Sequence, residues 1–242
     1  MKIENSVALV TGSNRGIGRE FVAGLLQRGA RRVYATARNL ASLESLLALD
    51  RRRVVPLSMD ITKRSEVDAV ARTACDVNLL VNNAGVALDG SLVDCPIDLV
   101  VRNLETNYIG TLTVVRTFAP VIGSNGGGAI VNVLSLLALA SIPPMGAYSA
   151  SKAAAYSMTQ AIRAQLKEKN ITVHGVFPGP VDTDMMRDKH MPKAAAGDIV
   201  KEVLDGLELG AEDIFPDPFS REAHSVWHRD PKALERRLAG RK

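Results

Sequence analysis

The stretch SVALVTGSNRGIGREFVAGLLQRGA, residues 6–30, decides the fold. Val7 to Thr11 is a short apolar run with β character. Gly12 to Gly18 is a glycine-punctuated turn, and Phe21, Leu25 and Leu26 then repeat at helical spacing until Gly29 ends the pattern. The order is strand, turn, helix. In that setting Gly12, Ser13, Asn14, Arg15, Gly16, Ile17 and Gly18 let backbone N–H groups and a helix N-terminus meet a pyrophosphate, because glycines remove side chains that would block its approach. The spacing between Gly12 and Gly16 departs from the usual fingerprint, so the argument rests on the turn's place between a first strand and a helix.

The alternation continues outward. Arg32 to Ala37, Val54 to Met59, Asn78 to Val81, Ala129 to Leu134 and Ile171 to Phe177 read as strands, with Asp213 to Phe215 as a last one. Between them, residues 41–49, a segment capped by Thr62 or Ser65 and running to Thr73, residues 97–121, residues 146–168 and residues 198–209 read as helices. Strands joined through helices imply right-handed parallel crossovers, and no linker or repeat divides the chain. The expectation is one domain over residues 1–242, with a loop at about 182–200 and an unusual Pro-containing tail at about 211–242. Ser124 to Gly128, SNGGG, precedes a strand and is a connector, not a phosphate loop.

Of the 242 residues, 46% are hydrophobic and 23% charged, which suits a globular domain with a sizeable core. The formal charge of +4 is dispersed and aromatics make up 4%, so neither a nucleic-acid reader nor a membrane protein is expected. The most apolar region, Ala129 to Ala147, is broken by Asn132, Ser135, Ser141 and Pro143-Pro144. Cys75 and Cys95 have neither metal-finger nor disulfide spacing, and with no signal peptide visible a cytoplasmic location is expected. His224 and His228 lack a third ligand cluster, so packing is favoured over a metal site.

Chemistry concentrates in SLLALASIPPMGAYSASK, residues 135–152. Tyr148 and Lys152 are i and i+4 on one helix face, where an ammonium group favours the phenolate, and Ser135 offers a hydroxyl to the same substrate oxygen. At the end of the second strand Ala37 is followed by Arg38 instead of an acid. Arg38 and Arg15 are therefore either two guanidinium groups for a 2′-phosphate, which predicts NADP(H) over NAD(H), or solvated surface arginines. Asp60 either accepts from an adenine amino group or caps the next helix. Asn107, in mid-helix, is either a satisfied core amide or the holder of a water for proton transfer. Met185 and Met186 follow a strand's carboxyl end, where α/β sheets bind ligands, and favour an adaptable apolar pocket. Leu136, Leu137, Leu139, Ile142 and Met145 hint at an apolar ligand, or belong to the core.

Taken in order, Thr11-Gly12-x-x-x-Gly16-x-Gly18, Asp60, Asn82-Asn83-Ala84-Gly85, Asn107, Ser135, Tyr148-x-x-x-Lys152 and Pro178-Gly179-x-x-x-Thr183 resemble the short-chain dehydrogenase/reductase superfamily in its single-domain form, over about residues 5–185. The resemblance implies a Rossmann-like, doubly wound parallel sheet of about seven strands in a three-layer α/β/α domain. It implies that Gly12 to Gly18 cradle the pyrophosphate, that Asp60 and Ile61 hold the adenine, and that Asn83, Ala84 and Gly85 line the cofactor cleft. Pro178, Gly179, Val181 and Thr183 would border the nicotinamide end. Tyr148 would be the general acid/base, Ser135 would position the oxygen, Lys152 would bind the nicotinamide ribose, and Asn107 would complete a proton relay. The implied activity is NADP(H)-dependent interconversion of a secondary alcohol and a ketone or aldehyde by a homodimer or homotetramer. The alternatives are a non-catalytic NADP(H)-binding regulatory protein and a nucleotide-sugar epimerase or dehydratase. Leu134 and Ala138 depart from the family's habits toward a more apolar wall, and the C-terminal tail, residues 211–242, replaces the family's usual ending.

Overall fold

Strand β1 (Val7–Thr11) lies at the centre because every residue in it is buried, as a strand covered on both faces requires. Its side chains alternate. Ala8 and Val10 enter one core cluster and Val7 and Leu9 the other, and β4 (Leu79–Asn82) and β5 (Gly128–Val133) divide in the same way. The computed structural model describes residues 1–240. Together with β2 (Arg32–Ala37), β3 (Val54–Ser58), β6 (Ile171–Val176) and β9 (Asp213–Ile214), these strands form a seven-stranded parallel sheet in the order β3-β2-β1-β4-β5-β6-β9. A separate two-stranded pair, β7 (Val181–Asp182) and β8 (Ala194–Ala195), pins the loop between them.

Helices α1 (Gly16–Gln27), α2 (Glu44–Leu47) and α7 (Ala196–Glu208) cover one face. The other is covered by α3 (Arg64–Thr73), α5 (Thr111–Ser124) and α6 (Gly146–Leu166). This is the three-layer arrangement expected. The chain reverses its order of strands between β1 and β4, so the loops at their carboxyl ends diverge and leave a crevice. Among the described residues, no helix is long and apolar enough to cross a membrane.

Three local details differ from the expectations. The N-terminus of α3 is not capped by Thr62 or Ser65: Lys63 is the N-cap and makes no side-chain cap, while Thr62 turns back to Asp60. The long helix expected over residues 97–121 is α4 (Ile97–Leu104), six residues wound as a π-helix (Glu105–Gly110), and α5. Asn107 sits in the π-helical segment, whose wider turn accommodates a poor helix former. The tail, for which no element was expected beyond Asp213 to Phe215, is helical. It forms α8 (Pro218–Arg229) and α9 (Pro231–Leu238), each with Asp at the N-cap and Pro at its start. The SNGGG connector holds: Gly126, Gly127 and Gly128 all have positive φ, and a Cβ on Gly128 would lie 1.9 Å from the Asn78 carbonyl oxygen.

Candidate active site

The carboxyl ends of β1, β2, β4, β5 and β6 border a cleft of about 760 Å3. Its floor is made by close backbone approach. Gly12 has φ +66° and a Cβ there would be 2.9 Å from Ala84 Cα, while a Cβ on Gly18 would be 2.1 Å from the Gly12 carbonyl oxygen. Thr11 ties this turn to β4, its hydroxyl accepting from the N–H groups of Asn83 (3.0 Å) and Ala84 (2.9 Å). Asn83 answers by donating its amide to the carbonyls of Thr11 and Gly12, each at 3.0 Å. The amides at the start of α1 meet no capping side chain and no acidic residue in the first turn. A glycine floor and an uncapped helix N-terminus suit a pyrophosphate.

Gly12, Asn14, Arg15, Gly16, Ile17 and Gly18 all line the cleft. Ser13 is the exception in its loop. Its hydroxyl points inward, donating to the Val10 carbonyl (2.7 Å) and accepting from Thr36 N (3.2 Å), so it stiffens the turn from behind. Arg38, Asp60, Ile61, Asn83, Ala84, Gly85, Pro178, Gly179, Val181 and Thr183 also border the cleft. Burial alone would raise the Asp60 carboxyl; hydrogen bonds from the backbone and hydroxyl of Thr62, with the charges of Arg38 and Lys63, hold it below its ordinary value. Asp60 thus makes a local turn and faces the cleft as well. Arg15 is exposed and pairs with Asp184 on the far rim at 3.3 Å; Asp184 also pairs with Arg187.

At the other end, Ser135, Tyr148 and Lys152 come together. The N-cap position of Ser135, just after β5, presents its hydroxyl, which accepts from Leu137 N (3.1 Å), on the same cleft as the Tyr148 phenol. The Lys152 ammonium is 5.8 Å from the Tyr148 ring centroid and donates to the Val133 carbonyl at 2.8 Å. Lys152 is 6% exposed, and burial lowers it to about 8. Tyr148 is half-buried and lines the cleft. Burial pushes the phenol up and the Ser135 hydrogen bond draws it partly back. The lysine-depressed phenolate expected from sequence is therefore not the state of this geometry, because Lys152 points to a backbone carbonyl and desolvation dominates both groups.

Asn107 lies behind this cluster, 1% exposed. Its amide donates to the Val86 carbonyl (2.8 Å) and to Ser151 Oγ (2.9 Å), and its Oδ1 accepts from Val86 N (2.9 Å). Ser151 Oγ passes the link on to the Tyr148 carbonyl at 2.7 Å. Both amide hydrogens are engaged, so the side chain is a satisfied core amide that braces the first turn of α6. Of the two earlier readings, this geometry answers to the first.

Leu136, Leu137, Ile142 and Met145 line the cleft, as do Met185 and Met186. Leu139 instead joins the apolar clusters behind. The His224 ring stacks on Phe215 with centroids 3.9 Å apart and sits 6.1 Å from His228, a packing arrangement.

Sequence reading missed Asp217. Its carboxylate is 3% exposed, caps α8 by accepting from Ser220 N (2.8 Å), and accepts from Gly179 N (2.9 Å) at the cleft's edge. The signal was present as Asp-Pro-x-Ser, residues 217–220, an N-cap followed by Pro. Phe219 and Leu238, also from the tail, line the cleft.

The sheet order, the glycine floor and the cleft at the switch point define a Rossmann-like, dinucleotide-binding class of protein. The chain belongs to the short chain dehydrogenase family, a family of oxidoreductases, whose model matches residues 6–194. It is 34% identical over 194 residues to a short-chain type dehydrogenase/reductase of Picea abies, covering 74% of this chain and 72% of that one. A short chain dehydrogenase from Burkholderia cenocepacia, crystallised in complex with NADP, superposes with a TM-score of 0.93 at 41% identity, over 98% of this chain and 99% of that one. A relative from Burkholderia phymatum in complex with NAD has a TM-score of 0.84 at 25% identity, over 96% of each chain.

Proposed function

We propose that the protein is an NADP(H)-dependent oxidoreductase that interconverts a secondary alcohol and a ketone or aldehyde of apolar character. The observation that carries this reading is the convergence of Ser135, Tyr148 and Lys152 on the apolar end of a glycine-floored cleft. A bound nicotinamide supplies or accepts hydride. Ser135 and Tyr148 hold the substrate oxygen between two hydroxyls, and in the reductive direction the Tyr148 O–H gives that oxygen its proton. Lys152, which at about 8 keeps its proton at neutral pH but yields it more readily than an exposed lysine, is placed to return a proton toward the phenol and to bind the ribose. Asn107 acts through position: via Ser151 it fixes the backbone of Tyr148, and its carbonyl, which accepts from Thr111 Oγ1 at 3.0 Å, lies in the loosened π-helical turn.

Preference for NADP(H) is supported by Arg38 at the end of β2, by Arg15 on the same cleft, and by the NADP-bound relative at 41% identity. The exposed apolar residues Val93, Ile97, Val101 and Ile109, on α4 and beside it, support association as a homodimer or homotetramer, and a cytoplasmic location fits such an enzyme.

The test is Tyr148→Phe. It removes one oxygen atom, and kcat for NADPH-dependent carbonyl reduction falls by about 10^2-fold or more, while the Kd for NADPH stays within about twofold. Retention of most of kcat rules the mechanism out.

A further inference from the structure

On α4 it is an amide, Asn103, that is fully buried, at 0% exposure. Asparagine is a poor helix former and costly to bury unless its hydrogen bonds are made. Here they are made, two of the three to a single residue. Asn103 Oδ1 accepts from Leu88 N at 3.3 Å, and its amide donates to the Leu88 carbonyl at 3.2 Å and to the Leu99 carbonyl at 3.0 Å. Asn107, four residues on, grips Val86 in the same way, through the N–H and the carbonyl of one residue. Four residues of α-helix rise about 6 Å, close to the spacing of about 6.6 Å between alternate residues of an extended chain. Two asparagines so placed hold residues 86–88 as a neighbouring strand would.

The gripped segment leads to the start of α6. Val86, Ala87 and Leu88 line the cleft. Two residues beyond Leu88, Gly90 N donates to the Pro144 carbonyl at 2.8 Å, and Gly90 pairs with Met145, the N-cap of α6. Leu92 packs so closely on Gly146 that a Cβ there would lie 2.7 Å from its Cγ. Tyr148 follows two residues later. Asn107 reaches the Tyr148 carbonyl by a separate route, through Ser151. The first turn of α6 is thus held twice, once from each asparagine.

Resting on the reading of the protein as a carbonyl-reducing enzyme for the chemistry it serves, we propose that Asn103 is a positioning residue for Tyr148. By fixing Leu88 it seats residues 88–92 against Pro144, Met145 and Gly146, and so sets where the phenol stands. Asn103 itself does not line the cleft.

The experiment compares Asn103→Leu, of nearly the same size and unable to hydrogen-bond, with Asn125→Ala. Asn125 also bridges two backbone carbonyls, those of Cys75 and Val77, but at the amino-terminal ends of β4 and β5. Asn103→Leu should lower kcat for NADPH-dependent ketone reduction by about tenfold or more, a misplacement of about 1 Å costing up to about 10^2-fold. KM and the Kd for NADPH should stay within about twofold. Asn125→Ala should lower Tm and leave kcat per folded molecule unchanged. Hydrogen exchange read by mass spectrometry follows the same contacts without turnover. In Asn103→Leu the peptides covering residues 86–92 and 143–149 should both lose protection by about tenfold, the scale of one net hydrogen bond, and in Asn125→Ala neither should. Asn103→Ser, which leaves room for a water, moves both readouts the same way by less and serves if Asn103→Leu fails to fold. Wild-type exchange at 143–149 overturns the proposal, and so does an unchanged kcat in an enzyme that turns ketones over. If the wild type turns over no carbonyl, faster exchange at 143–149 upholds the placement of α6 by Asn103 and removes only the carbonyl-reducing reading.

Discussion

Asp217 joins the tail to the active site, and its replacement by alanine has two costs that the structure separates. The first is the lost cap of α8, where the carboxylate accepts from Ser220 N at 2.8 Å. Removing an aspartate N-cap typically costs about 1 kcal/mol. The second is the Gly179 N–H, which donates to the same carboxylate at 2.9 Å in a place where Asp217 is 3% exposed. Gly179 is half-buried at the cleft's edge, so losing this partner costs about 1 kcal/mol, the low end for an unsatisfied N–H. Asp217→Ala should therefore lower the unfolding free energy by about 2 kcal/mol, equivalent to about 4–8 °C in Tm for a chain of this size. In Asp217→Asn the amide oxygen can serve one of the two N–H groups, so the loss should be about half. Asp230→Ala is the control: it removes the cap of α9, a contact with Lys232 N at 2.9 Å on the exposed side, and should cost about 0.5–1 kcal/mol. Urea unfolding followed by circular dichroism measures all three. The substrate KM should rise with Asp217→Ala, since the Gly179 turn and Phe219 lose the same anchor. If Asp217→Ala is no more harmful than Asp230→Ala, the carboxylate does not bind the tail to the cleft.

Arg38→Asp places an acid where a ribose 2′-hydroxyl would accept it and a 2′-phosphate would not, so the NADPH:NADH ratio of kcat/KM should fall by about 10^2-fold, and an unchanged ratio refutes the role given to Arg38. The depressed Lys152 gives a stability signature. Its proton is held at about 8 when folded and about 10.4 when unfolded. Below pH 8 both states carry the charge and the burial penalty is complete; between the two values the unfolded chain binds more protons, so stability rises with pH, and above 10.4 the penalty is gone. Relative to Lys152→Met, wild type should gain about 3 kcal/mol across that window, and a constant difference between the two curves would show that Lys152 is not desolvated. Mass measurement at micromolar concentration should give a dimer or tetramer, with Ile97→Glu shifting it toward monomer; a monomeric wild type refutes association through this face.

The parts of the fold that could be read early were those where local chemistry and tertiary setting agree. Val7 to Thr11, Gly12 to Gly18 and the α1 pattern form one unit whose residues are forced by backbone approach, and a Cβ at Gly18 would collide with Gly12 itself. Tyr148 and Lys152 were legible because helical spacing alone puts them on one face. Ser13 was not: its place in the loop is that of a ligand contact, but the hydroxyl has two backbone partners between β1 and β2, and nothing local announces them. Asn107 was ambiguous for the same reason, its partners lying at Val86 and Ser151, far off in sequence. The tail carried readable caps at Asp217 and Asp230, but its destination against Leu136 depends on packing that no periodicity encodes.

Burial also fixes which role Tyr148 is ready to play. An exposed phenol beside an ammonium group would lean toward phenolate and act as a base. Here the phenol is pushed up by desolvation, more than Ser135 draws it down, and Lys152 is itself drawn toward its neutral form. Both shifts disfavour a Tyr148–Lys152 ion pair: the phenol stays neutral, while the ammonium, at about 8, keeps its proton at neutral pH and donates to the Val133 carbonyl. A neutral phenol already pointed at a shared hydroxyl is a proton donor, so the ligand-free site is set for the reductive step without prior titration. The oxidative step must first remove that proton, and any condition that wets the cleft, such as loosening the tail through Asp217, should bring both groups back toward their ordinary values.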